Sequence, residues 1–206
     1  MKRLKFLFPL FVIIFLSSCA MYYRPIMPQK TNYNVKELQN GVEISYRYDV
    51  LRERGNKKMS KREEANGIKI VSVKLTNTTD SVLQIGTDIE FYTGITSLNL
   101  LEPEQTKKLV KQSIIGYAPY FIGVLGKSNI TYNGQTVSSF PFHWFLWGGI
   151  AVGNMLVANA ANNNLLKELQ IYNITNKEIG AHETVYGIIS IRESSYIPLT
   201  VRKIIK

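Results

Sequence analysis

Hydrophobic and polar positions alternate most cleanly over residues 42–50, where Val42, Ile44, Tyr46, Tyr48 and Val50 are interleaved with Glu43, Ser45, Arg47 and Asp49. That period of two predicts a strand with one buried and one wetted face, entered through a turn at Asn40-Gly41. A second run, Ile68-Lys-Ile-Val-Ser-Val-Lys-Leu75, changes parity between Ile70 and Val71. Such a shift predicts either a bulge or a strand covered on both faces. Thr76-Asn-Thr-Thr-Asp-Ser81 is a turn by composition, and residues 82–91 return as a strand with Leu83, Ile85, Ile89 and Phe91 in phase. Two more strands are predicted at 183–191 and 197–205. Strands near both ends, spaced by turns, favour a sandwich.

The middle of the chain, about 101–172, follows a different period. The segment starting at Pro103 reads as a helix, with proline in its first turn and acids ahead of lysines. Asn133-Gly134 predicts a two-residue hairpin. Residues 140–161 carry no formal charge and hold Trp144, Trp147 and a Gly149-x-x-x-Gly153 spacing that permits close helix approach. Beyond them Val157, Ala161, Leu165, Leu169 and Tyr172 keep helical spacing. The glycines, with Asn154, Asn159 and Asn162, favour packing within the protein; contact with a membrane face or an oligomer, or a membrane span, are the alternatives.

Residues 52–64 are the most charged stretch, combining Arg52, Arg54, Lys57, Lys58, Lys61 and Arg62 with three acids. They read as a solvated hairpin tip, or as a surface for anionic headgroups or polysaccharide. These six cations and the two tryptophans, Trp144 and Trp147, are the candidate membrane or partner contacts. Residues 19–40, with two prolines and no period, read as a tether.

The N-terminus is tripartite: basic Met1-Lys-Arg-Leu-Lys5, an apolar core over residues 6–16, then Leu16-Ser17-Ser18-Cys19. The apolar core is too short to span a membrane as an ordinary helix and suits a cleaved signal peptide over residues 1–18. An aliphatic residue, two small ones and a cysteine resemble the lipobox of bacterial lipoproteins. The resemblance implies diacylglycerol on the Cys19 sulfur, cleavage before Cys19 and an acylated new amino terminus. It also implies residence in the envelope of a Gram-negative bacterium, where Ala20 after the cysteine favours the outer membrane. Cys19 is the only cysteine. Once it is lipidated, disulfides, thiolate metal sites and cysteine nucleophiles are excluded.

The stretch Val73-Lys-Leu-Thr-Asn-Thr-Thr-Asp-Ser-Val-Leu83, with Ile179-Gly-Ala-His-Glu-Thr-Val-Tyr-Gly-Ile188, resembles immunoglobulin-like modules of bacterial lipoproteins. In those modules an Asn-x-Thr turn joins two core strands and a Pro-Gly-Glu-Thr type turn leads into a later one. Here Ala181-His182 replaces Pro-Gly. The resemblance implies a fold and no activity.

Composition adds little to this picture. The 45% hydrophobic and 19% charged fractions are those of a globular chain, and twelve tyrosines and nine phenylalanines suit strands. The formal charge is +10, with Lys2, Arg3 and Lys5 in the leader contributing three of the surplus positives. The remaining surplus favours acidic partners, and export removes nucleic acid from among them.

Candidate chemistry fails on spacing. Gly126-Lys127-Ser128 would need glycine where Phe121 stands to be a phosphate loop, and His182-Glu183 would need histidine at Tyr186 to be a zincin. His143, between Phe142 and Trp144, reads as a packed ring. No cofactor motif is present. The expected fold is therefore mainly β (α+β): an immunoglobulin-like antiparallel sandwich over 41–206, with an apolar helical insertion at about 101–172. The expected function is non-enzymatic, in binding, assembly or envelope structure, with an envelope protein or anionic glycan as partner. A small-ligand or glycan binder with a pocket between sandwich and helices is the alternative. A hydrolase using paired carboxylates drawn from Glu43, Glu90, Glu183 and Glu193 comes third.

Overall fold

The computed structural model describes residues 19–125, 128–140 and 142–204. Its first elements are β1 (Val35–Gln39), β2 (Val42–Arg47), α1 (Val50–Glu53), α2 (Lys57–Ala65), β3 (Lys69–Asn77), β4 (Leu83–Gln84), β5 (Ile89–Thr93) and β6 (Thr96–Ser97). There follow α3 (Pro103–Val110), β7 (Ser128–Tyr132), β8 (Gln135–Phe140), α4 (Phe142–Ile171), β9 (Glu178–Ile179), β10 (Thr184–Ile191) and β11 (Thr200–Lys203). Single 3-10 segments occupy Pro28–Lys30 and Ile115–Leu125. The described residues form two compact units, one of residues 23–111 with 162–204, the other drawn from residues 19–22 with 112–161.

In the larger unit the antiparallel sheet runs β1-β2-β3-β10, beside a β11-β5-β6 sheet and a β4-β9 pair. Val42, Ile44 and Tyr46 are buried as their alternation requires, opposite Asn77, Leu75 and Val73 of β3. The strand stops at Arg47, however. Asp49 takes a left-handed φ of 57° and starts α1, so Val50 is buried from a helix. β3 is central in its sheet, between β2 and β10, and residues 69–73 are buried without alternation, so both of its faces are covered there as the parity change allowed. Residues 82–91 form two strands, split by a turn at Gly86 in which Asp88 Oδ2 accepts the Gln84 N–H at 3.0 Å. One apolar cluster draws on β2, β3 and β10 and on β4, β5, β9 and β11. Gly187 of β10 leaves room for it, since a Cβ there would lie 2.3 Å from Ile174 Cγ2.

Buried Asn77 joins the two turns on which the immunoglobulin-like resemblance rests. Its Nδ2 donates to the carbonyls of Ser81 (2.7 Å), Ile179 (3.2 Å) and Gly180 (3.0 Å). Its Oδ1 accepts the N–H and hydroxyl of Thr79. Glu183 closes the second turn by accepting the Gly180 N–H at 2.7 Å.

Helix accounts for about 34% of the chain and strand for about 28%, so the fold is mixed α/β with mostly antiparallel sheets rather than mainly β. Part of the difference lies in the charged run, which folds as α1 and α2 instead of a hairpin tip. Met59, Ser60 and Glu63 share the buried side of α2, and Lys57, Lys58, Lys61 and Arg62 fall on the other by i, i+4 spacing.

The smaller unit contains the hairpin β7–β8, turned by Asn133 and Gly134 at φ 49° and 79°, as the Asn-Gly pair demands. It also contains the Ile115–Leu125 segment and the part of α4 up to Ala161. With three residues per turn, the 3-10 segment presents Tyr117 and Tyr120 on one side, and these are buried with Ala151 and Ala158 of α4. The helix α3 and the part of α4 beyond Ala161 belong to the larger unit.

Candidate functional site

The residues that follow Cys19 do not form a free tether. In the smaller unit the Ala20 N–H donates to Asn154 Oδ1 at 2.6 Å. The Met21 N–H donates to Gln112 Oε1 at 3.1 Å, and Gln112 Nε2 returns to the Met21 carbonyl at 2.6 Å. In the larger unit Asn56 repeats this exchange with the backbone of Arg24, at 2.8 and 2.7 Å. A side-chain amide carries one acceptor and two donors, so it satisfies an extended peptide as a neighbouring strand would.

Glu168 completes the attachment of the larger unit's first residues. It accepts the Tyr23 hydroxyl, the Ile26 N–H at 2.9 Å and the Met27 N–H at 2.8 Å. Burial, reinforced by the Glu168 carboxylate, pushes the Tyr23 hydroxyl above its ordinary pKa and keeps it a donor. Ile26 is fully buried, and β1 follows within the stretch expected as spacer. The tether expectation is corrected accordingly: aperiodic sequence here reflects a segment held by other residues' side chains. Gln112, Asn154, Asn56 and Glu168 went unrecognised as partners in the sequence. Only Glu168 left a signal, a carboxylate placed inside the Ala161-Leu165-Leu169 apolar stripe.

Cys19 itself is exposed. Ala20 packs with half-buried Trp147, Ile150 and Met155 against the Tyr117–Tyr120 cluster, and the Trp147 ring lies 6.4 Å from that of Tyr120. On its far side α4 is apolar but uncovered: Val152 is 46% and Leu156 64% exposed, and nothing lies within 4 Å of where a Cβ would stand on Gly149 or Gly153. Ile115 (81%) and Phe121 (41%) are exposed on the 3-10 segment. Within residues 19–22 and Gln112–Ala161, Lys127 is the only Lys, Arg, Asp or Glu. Among the described residues no helix is long and apolar enough to cross a membrane.

The remaining candidates are dispersed. Arg52 pairs with Glu64 on the surface, and Arg54 Nε donates to the Ile26 carbonyl at 2.9 Å. Lys57, Lys61 and Arg62 are exposed and Lys58 is half-buried. Trp144 lies on α4, but its side chain, like that of His143, is outside the described residues. His182 Nε2 meets Asp80 Oδ1 at 2.9 Å on the surface. Glu43 pairs with Lys36 at 2.8 Å. Glu90, which accepts the Ser97 hydroxyl at 3.1 Å, lines a cleft of about 450 Å³ with Glu102, Asn99 and Phe91. Among the described residues no group of His, Cys, Asp and Glu is placed to hold a metal. Compared with family models, curated proteins and solved structures, the chain matches none.

Proposed function

We propose that this chain is a lipoprotein of a Gram-negative cell envelope, anchored by diacylglycerol on Cys19 and serving binding, assembly or envelope structure without catalysis. The observation that carries the reading is the Leu16-Ser17-Ser18-Cys19 motif behind a basic and apolar leader. Exposure of Cys19 at the start of a held segment agrees with it, because the sulfur is accessible while the chain after it is fixed. Ala20 favours the outer membrane. The larger unit is read as an immunoglobulin-like sandwich, supported by the apolar cluster common to its sheets and by the Asn77 clasp. The cleft between Glu90 and Glu102 supports a second reading, a small polar ligand or glycan bound there.

Intact-mass analysis of the membrane-extracted protein tests the anchor. The expected product starts at Cys19 and carries three acyl chains, and Cys19→Ala leaves the membrane fraction or accumulates as precursor. Each buried methylene contributes about 0.8 kcal/mol, so three chains hold the protein permanently. A mature, membrane-bound chain with an unmodified cysteine would refute the proposal.

A further inference from the structure

Three tyrosines of the larger unit meet at a surface cavity of about 330 Å³. Tyr46 on β2 and Tyr48 just beyond it stand edge to face, their ring centres 5.8 Å apart. Tyr48 meets Tyr196, from the loop between β10 and β11, in the same way at 5.5 Å. Hydrogen bonds hold both outer rings. The Tyr48 hydroxyl donates to the Ile197 carbonyl at 2.8 Å, and the Tyr196 hydroxyl donates to the Asp49 carboxylate at 2.8 Å. Asp49 reaches Tyr196 from the left-handed turn at which β2 gives way to α1. Tyr46 is buried and Tyr48 half-buried, but Tyr196 is 57% exposed, although Lys69 Nζ stands over its ring at 4.4 Å from the centre. An aromatic surface is thus fixed before anything binds, which lowers the ordering cost of binding.

The polar groups around these rings narrow the class of ligand. Asn34 and Asp49 border the cavity with an amide and a carboxylate, and Arg47 Nε donates to Glu53 Oε1 at 2.8 Å on its rim. An anionic ligand would face Asp49 and Glu53, and a cationic one would compete with Lys69 on the Tyr196 ring. A purely apolar ligand would dehydrate the Asp49 carboxylate without replacing its water. A pyranose meets none of these penalties. Its C–H face packs on an aromatic ring, whose π-face is electronegative, and its hydroxyls both donate and accept. We propose that Tyr196, Tyr48, Asp49 and Asn34 form a binding site for a neutral sugar, with Tyr196 as the stacking ring and Asp49 and Asn34 as partners of its hydroxyls. The site shares no lining residue with the Glu90–Glu102 cleft and does not depend on the lipid anchor.

Saturation-transfer NMR tests the site on the full chain, kept in a detergent without a sugar headgroup. Cellobiose, lactose and diacetylchitobiose are the neutral probes, and glucosamine and glucuronate the charged ones. Saturation is expected to reach the ring C–H protons of at least one neutral disaccharide. Tyr196→Ala, at an exposed position, should weaken that binding about tenfold at a parental melting temperature. Where Tyr196→Ala melts early, exposed Asn34→Ala decides instead and should weaken binding severalfold. No transfer to any neutral probe would overturn the proposal, as would parental binding in the deciding variant. Stronger binding of glucosamine or glucuronate would overturn the ligand class. Glu90→Gln is expected to leave binding unchanged; loss of binding there would assign the sugar to the other cleft and overturn this site.

Discussion

Replacing Glu168 by alanine removes the acceptor for three donors at once, and the structure sets the expected size of the loss. Ile26 is fully buried, so its N–H has no access to water when the carboxylate is gone, and Met27 loses its 2.8 Å partner. An orphaned buried donor costs about 1–3 kcal/mol. With the Tyr23 hydroxyl also released, Glu168→Ala is expected to lower stability by about 3–5 kcal/mol. Glu168→Gln keeps one carbonyl oxygen but turns an NH2 toward a donor, and should cost about half as much. Tyr23→Phe leaves the carboxylate two amide donors and should cost about 1.5–3 kcal/mol, the range for hydrogen bonds to charged groups. Because both substitutions break the same contact, the double variant Glu168→Gln/Tyr23→Phe should lose less than the two singles added together. Urea melts give these differences, and hydrogen exchange at the Ile26 and Met27 amides localises them. A Glu168→Ala chain within about 0.5 kcal/mol of the parent, the low end for a net hydrogen bond, with both amides still protected, would refute the reasoning.

Glu63 supplies a pH-dependent prediction. Burial pushes its carboxyl up to about 7, against the opposing pull of the Ile70 N–H and Lys69. The folded chain then binds this proton more tightly than the unfolded one, so stability falls as pH rises from the ordinary carboxylate range to about 7 and levels off above. At about 1.4 kcal/mol per pKa unit the change reaches roughly 3 kcal/mol, and Glu63→Gln should gain on the parent by up to that much between pH 5 and pH 8. A stability difference independent of pH would contradict this. Asn77 supplies another: both Asn77→Ala and Asn77→Asp should cost about 3 kcal/mol or more at neutral pH, the second because a carboxylate would face three carbonyls. An Asn77→Asp chain melting at the parental temperature would show that the clasp does not hold the two turns.

The parts of this fold that the sequence revealed are those set by local chemistry. Alternation identified the buried side of β2, Asn133-Gly134 identified the hairpin, and Pro103 identified the start of α3. Elements whose fate depends on distant residues were misread. The charged run became helix because Met59 and Glu63 on one side of α2 are buried, a burial that no count of its lysines reveals. Val50 kept its burial and changed its backbone when Asp49 turned left-handed. The strand expected over 82–91 broke because Gly86 and the Asp88 side chain build a turn inside it, while Leu83, Ile85, Ile89 and Phe91 all stayed in the core. Apolar phase therefore predicted depth more faithfully than it predicted continuity.

The segment after Cys19 shows why that difference matters to function. Its partners lie 32 to 145 residues away, so its aperiodic composition looked the same as that of a spacer. A flexible linker of the 20 or so residues expected would span about 25 Å on average and let the folded part drift and turn above the bilayer. Hydrogen bonding of Ala20 to Asn154 removes that freedom at the first residue. Under the proposed anchoring, loss of the Asn154 contact should restore that freedom without releasing the lipid. Asn154→Ala is therefore expected to stay in the membrane fraction while the Ala20 amide, which donates to Asn154 in the parent, exchanges faster with solvent. Parental exchange at Ala20 would show that Asn154 does not hold the segment.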